Sequence, residues 1–134
     1  MELKKSYKGF VIWMAAFCAV CLGTVFLPIR NTNILLRIIN NCCTLGVTLL
    51  SFIIYKTEYV YWYNGTSYEE AVNASSERRR AFAWKHFQSF GLFSIAFFAF
   101  SIIAQIMEIN CWIDIVIVTA GIIAVAIRTI KFKL

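Results

Sequence analysis

Four apolar runs, three of them free of any charged residue, limit what this chain can fold into. Residues 9–29, 38–55 and 87–107 contain no Asp, Glu, Lys or Arg, and residues 111–127 contain only Asp114. A helix rises about 1.5 Å per residue, so about 20 residues cross a ~30 Å hydrocarbon core. The first and third runs meet that length unaided. The second and fourth meet it once Arg37 and Asp114 are admitted near one end. Membrane β-strands would be shorter and would alternate in polarity, and these runs do not. The expected fold is all-α: a polytopic membrane protein forming one domain over residues 1–134. Its four transmembrane helices fall at about 9–29, 33–55, 87–108 and 111–128, with an amphipathic helical cytoplasmic loop at 56–86.

Composition excludes the other classes. Hydrophobic residues make up 60% and charged residues 15%, against about 45–50% and 25% in soluble domains. A disordered chain does not carry that much apolar surface. A small soluble globule would lack the polar residues to cover itself. Lys4, Lys5 and Lys8 before an apolar run have the layout of a signal peptide, but the run is too long. Cys21, preceded by Ala19 and Val20, is a poor lipoprotein cleavage site, so the expectation is a retained first span.

The net charge of +6 is unevenly placed. Eleven of the thirteen basic residues precede the first span, lie between the second and third, or follow the fourth; only Arg30 and Arg37 fall elsewhere. The positive-inside rule then puts both termini and the long loop in the cytoplasm, as an even number of crossings requires. The composition suits a bacterial inner membrane, and the expected location is the plasma membrane. The basic clusters are expected to meet anionic headgroups, with no nucleic-acid partner. On this orientation the sequons at Asn64 and Asn73 are chance matches.

The loop has its own pattern. Tyr55, Tyr59, Tyr61, Trp62 and Tyr63 suit the headgroup layer. Asn64 and Gly65 are expected to stop the second helix, Thr66 with Glu69 to form a capping box, and Ser75 or Ser76 to cap another helix. From there Arg78, Arg79, Arg80, Phe82, Trp84, Lys85 and Phe87 fit an interfacial helix running into the third span. Tyr59, Trp62, the three arginines, Trp84 and Lys85 are the expected contacts with lipid or a cytoplasmic partner. His86, the only histidine, is expected to play an interfacial part.

Chemistry is sparsely signalled. No catalytic residues, metal site or cofactor are expected. Cys18 and Cys21 have CxxC spacing, but they fall mid-span, where a buried thiol without a neighbouring cation is inert. Five cysteines acting as small packing residues is the favoured account. The second helix carries Arg37, Asn41, Thr44, Thr48 and Ser51 at intervals of three and four, along one face. The third carries Gly91, Ser94, Phe98, Ser101, Gln105 and Glu108 in the same rhythm. Such seams avoid lipid, where an unpaired polar group is costly. They should face each other as hydrogen-bonded glue, or line a path for a small solute. Arg37, Glu108 and Asp114 share one depth, so Arg37 is expected to pair with Asp114 or Glu108. Ala120 and Ala124 form a small-xxx-small pair, fit for internal packing or self-association.

The leading functional expectation is a non-enzymatic membrane protein acting by helix–helix association, as a homo-oligomer or with a larger membrane partner, in an accessory, regulatory or structural role. The alternatives are an oligomeric channel or small-solute transporter using the two seams, and a thiol–disulfide redox protein using Cys18 and Cys21.

Overall fold

The computed structural model describes residues 3–63 and 65–134. It is all-helical: 80% of the described residues are helix, and none of them lies in a strand. Four helices are long and apolar enough to cross a membrane. In order they are α1 (Lys8–Gly23), α2 (Thr32–Thr57), a short α3 (Tyr68–Asn73), α4 (Ser76–Ile106) and α5 (Cys111–Ile130), with 3-10 turns at Thr24–Phe26 and Val60–Trp62.

Side-chain caps set most helix starts. Asn31 accepts from the backbone of Asn33 and Ile34 ahead of α2, Ser75 from Arg78 ahead of α4, and Asn110 from Trp112 ahead of α5. Each satisfies an amide that the helix leaves without a partner. Tyr7, before α1, makes no such bond. The first helix is shorter than its expected 9–29 span. Its α-helical part ends at Gly23, a 3-10 turn follows, and Leu27 is extended with ψ 140°. Pro28 explains the stop, because a proline pushes the preceding residue out of the helical region.

The loop departs from expectation in two ways. Helix α2 stops at Thr57, where Glu58 takes a left-handed conformation (φ 61°). The expected stop at Asn64 and Gly65 is therefore not the one used, and Asn64 lies outside the described residues. The capping box is one residue later than expected: Ser67 accepts from the Glu70 backbone, and Glu70 reaches back to the Ser67 amide. The arginine-rich stretch is the start of α4, which runs unbroken for 31 residues from Ser76 into the third span.

Helices α2, α4 and α5 form the packed unit, with α1 against α2. The buried face of α2 is mostly polar: Arg37, Asn40, Thr44, Gly46, Thr48, Ser51 and Ile54. Leu45, Leu49 and Phe52 point outward. In a bilayer apolar surface gains nothing from turning inward, whereas polar groups and close backbone approach hold helices together. Two glycines give that approach. The Phe17 ring lies 2.2 Å from where a Cβ on Gly46 would sit, and the Phe93 ring lies equally close to that point on Gly121. No α1 residue is buried.

An aromatic core closes the end that holds both termini. Tyr61 accepts from the Ser6 amide (3.0 Å) and donates to the Ser6 carbonyl (2.9 Å), Trp62 Nε1 donates to the same carbonyl (3.1 Å), and Tyr68 donates to Leu3 (2.6 Å). Tyr59 packs between Tyr61 and Trp62. These rings hold the segment before α1 rather than standing free for lipid or partner, and only Trp84 and Lys85 of the expected aromatic and lysine contacts stay exposed.

Candidate functional site: a polar ladder between two ion-pair clamps

At the end away from the termini, Arg37 enters the bundle one turn inside α2 and is 5% exposed. Its Nε donates to Asp114 Oδ2 at 2.6 Å and its Nη1 to Gln105 Oε1 at 2.5 Å, while Nη2 donates to the Ile109 carbonyl. One guanidinium thus fastens α2, α4, α5 and the α4–α5 turn. Asp114 is fully buried, and its Oδ1 has no partner among the described residues; neither does Asn40 Nδ2.

Glu108 does not join this cluster. It lies just past α4 in a left-handed conformation (φ 54°) and is exposed, and no ion pair forms to it among the described residues. The reversal at Glu108 ends α4 and frees the Ile109 carbonyl for Arg37. Asp114, one turn into α5, is left as the partner.

Below the clamp the two seams meet in rungs. Asn41 Nδ2 donates to Ser101 Oγ at 2.9 Å, and Ser94 Oγ donates to Thr44 Oγ1 at 3.3 Å. Thr48 and Ser51 instead donate to backbone carbonyls one turn earlier in α2, at Thr44 and Val47. That local bonding is the usual refuge of hydroxyls in apolar helices. Beside the rungs, α2 and α4 enclose an open-sided cleft of about 660 Å³. Arg37, Asn41, Ser94, Ser101 and Gln105 supply its polar lining, and Ile38, Leu45, Phe98 and Ile102 are among its walls.

A second clamp, unanticipated from sequence, sits at the opposite end. Glu58 is 5% exposed. Its Oε2 accepts from Arg79 Nε (3.0 Å) and Nη2 (2.8 Å), and its Oε1 accepts from Ser76 (2.6 Å) and pairs with Arg80 (3.2 Å). Arg79 Nη1 also donates to the carbonyls of Ala71 and Ala74, which holds α3 in place. Arg79 is therefore not a lipid or partner contact: it is 5% exposed and consumed internally. Arg78 and Arg80 remain on the surface, and Arg78 also donates to the Leu134 carbonyl. The available signal was a single carboxylate set in an aromatic run, with three arginines downstream.

His86 is buried, 3% exposed, within the protein. It stacks on Tyr63 at 4.0 Å between centroids, with Phe82 and Phe132 beside it, and its Nδ1 lies 3.0 Å from the Phe82 carbonyl. A carbonyl can only accept, so Nδ1 bears the hydrogen.

Burial pushes the Glu58 carboxyl up, but bonds from Ser76 and Arg79 and the charges of Arg79 and Arg80 outweigh it, so Glu58 lies below the usual carboxylate range. A lowered native value means a contribution to stability that is complete above the ordinary carboxylate value. That contribution disappears as pH falls from there through the lowered value. In detergent, the melting temperature should decline over that acid window for the native chain. Glu58→Gln should start lower at neutral pH and show a smaller decline across it. Parallel curves would refute the assignment.

The five cysteines are free. Cys18 is exposed, while Cys21 turns toward Cys43 of α2. Among the described residues, no group of three or more His, Cys, Asp or Glu could hold a metal ion. Comparison with protein-family models, curated proteins and solved structures finds no match to this chain.

Proposed function

We propose that this chain is a plasma-membrane protein, with both termini and the α2–α4 connection in the cytoplasm, that works by helix–helix association with itself or a larger membrane partner. The observation that carries this reading is which small residues are used inside and which are not. Gly121 is taken up by Phe93, whereas Ala120 and Ala124 lie exposed on α5, in line with exposed Val116, Ile123 and Ile127. A small-xxx-small pair flanked by branched residues suits close approach by another helix in lipid. The seam hydroxyls and amides bond across to the facing helix or back to their own, which favours packing over conduction.

The test is the mass of the particle extracted in mild detergent. The native chain should run as a multiple of its 15.4 kDa or with a copurifying membrane protein. Ala120→Phe with Ala124→Phe, facing away from the packed interior, should weaken that association about tenfold or more, the equivalent of about 1.4 kcal/mol, while leaving the melting temperature close to native. A native particle of one chain with nothing bound would overturn the reading, and so would a double variant that associates as before.

A further inference from the structure

The cleft between α2 and α4 has hydrogen-bonding capacity that the fold does not use, and we propose that it binds an uncharged lipid whose polar head is a single hydroxyl. Asn41 spends its amide nitrogen on the Arg37 carbonyl and Ser101 Oγ, and no donor reaches its Oδ1 among the described residues. Gln105 spends its Oε1 on Arg37, and its Nε2 donates to nothing described, on a side chain that stays exposed. Ser101 bonds Asn41 and lies one turn before Gln105, so the unused acceptor and the unused donor sit within about one turn of each other. A hydroxyl donates once and accepts readily, and so satisfies both.

Charge and depth select the class of lipid. The Arg37 charge is balanced by Asp114 2.6 Å away, so the cleft offers an anionic head no net attraction. Arg37 and Asn41 lie inside α2, about 7 and about 13 Å from its start at ~1.5 Å per residue, and Gln105, next to the end of α4, turns back to Arg37. A phospholipid headgroup at the surface would reach this depth only with its tails, which use neither amide. A hydroxyl-headed lipid can sit that deep, its apolar body lying along the walls formed by Ile38, Leu45, Phe98 and Ile102. From Gln105 to Ser94 the cleft runs eleven residues of α4, about 16 Å at the helical rise. Its volume of about 660 Å³ falls within the roughly 300–1,000 Å³ of small-molecule sites. The site rests on membrane insertion and is independent of association through α5.

The experiment uses the full chain in phosphatidylcholine nanodiscs with a diazirine-bearing sterol and, in a separate arm, diazirine-bearing hexadecanol; the two arms distinguish a ring body from a chain. At least one probe should label residues 34–45 and 94–106 saturably. Unlabelled compound should compete with it, and the matching ketone or methyl ether should compete about tenfold less well. Ile102→Trp, which fills the cleft from an exposed wall, should lower labelling about tenfold without lowering the melting temperature. Gln105→Leu should lower it to a similar extent where that variant folds. Labelling of all four long helices in proportion to exposure would overturn the proposal. So would equal labelling of the cleft by photoactivatable phosphatidylcholine, equal competition by the ether, or indifference to Ile102→Trp.

Discussion

Replacing Arg37 with leucine is expected to cost the folded protein about 3–5 kcal/mol, the loss typical when one member of a buried pair is removed. The reason lies in what remains. Asp114 is fully buried, its Oδ2 is held by Arg37, and its Oδ1 is already without a partner. Without the guanidinium that carboxylate keeps no hydrogen bond to a side chain in the bundle. The Ile109 carbonyl and Gln105 lose their donor as well. The pair itself is a different matter, because desolvation of both charges consumes most of their attraction. Arg37→Leu combined with Asp114→Leu should therefore recover most of the loss. Chemical unfolding in detergent, followed by tryptophan fluorescence, reads all three proteins. A single variant as stable as the native chain would contradict the clamp, as would a double variant no better than the single.

That asymmetry explains how a chain this small keeps one arrangement. All four long helices have exposed apolar faces, which lipid would solvate as well as a neighbour, so in a bilayer apolar burial would do little to choose their register. The groups that choose are those for which lipid is a poor solvent: Arg37, Asn41, Thr44 and Ser94 toward one end, Glu58 and Arg79 at the other. Glycines 46 and 121 then set how closely the helices approach.

Periodicity made this interior partly legible in the sequence. The intervals along α2 separate Arg37, Thr44, Thr48 and Ser51 from the leucines, and all four are buried. The same rhythm in α4 is less faithful. Ser101 is buried, but Phe98, Gln105 and Glu108 are exposed, because the seam of α4 runs along the edge of the interface and borders the cleft. Its buried stripe is Phe82, His86, Phe90 and Phe97. A chain apolar on every side gives a pattern rule too little contrast to locate that stripe. Run length located α2 and α5 to within a few residues, but Pro28 shortened α1, where the proline rule was available, and α4 starts at Ser76 rather than 87 because its first turns are polar and lie outside the apolar run. The Glu58 clamp escaped for another reason. Its partner lies 21 residues away across a turn and a short helix, a distance that neither periodicity nor capping bridges. Three consecutive arginines also look alike until a fold separates the one facing inward.

Those arginines provide the sharpest contrast that the fold predicts. Arg79→Ala should destabilise the protein by about 3–5 kcal/mol, while Arg80→Ala should cost under about 1 kcal/mol. The residues are adjacent and carry equal charge, and both pair with Glu58. They differ in solvation: the Arg79 side chain is 6% exposed and that of Arg80 57%. Water screens the outer pair and hydrates Arg80 whether or not Glu58 is there. Arg79 makes two bonds to Glu58 and two to the carbonyls of Ala71 and Ala74. Among the described residues, its loss leaves Glu58 Oε2 without a donor, removes the one buried cation beside that carboxylate and releases the α3 segment from α4. Two measurements follow it separately: the melting temperature of each variant in detergent, and the rate at which a protease cuts residues 58–75. Arg79→Ala should lower the first and raise the second, Arg79→Lys should recover only part of either because an ammonium cannot span both partners, and Arg80→Ala should leave both near native. Equal losses for Arg79→Ala and Arg80→Ala would mean that position in the helix, rather than burial, governs this end of the bundle.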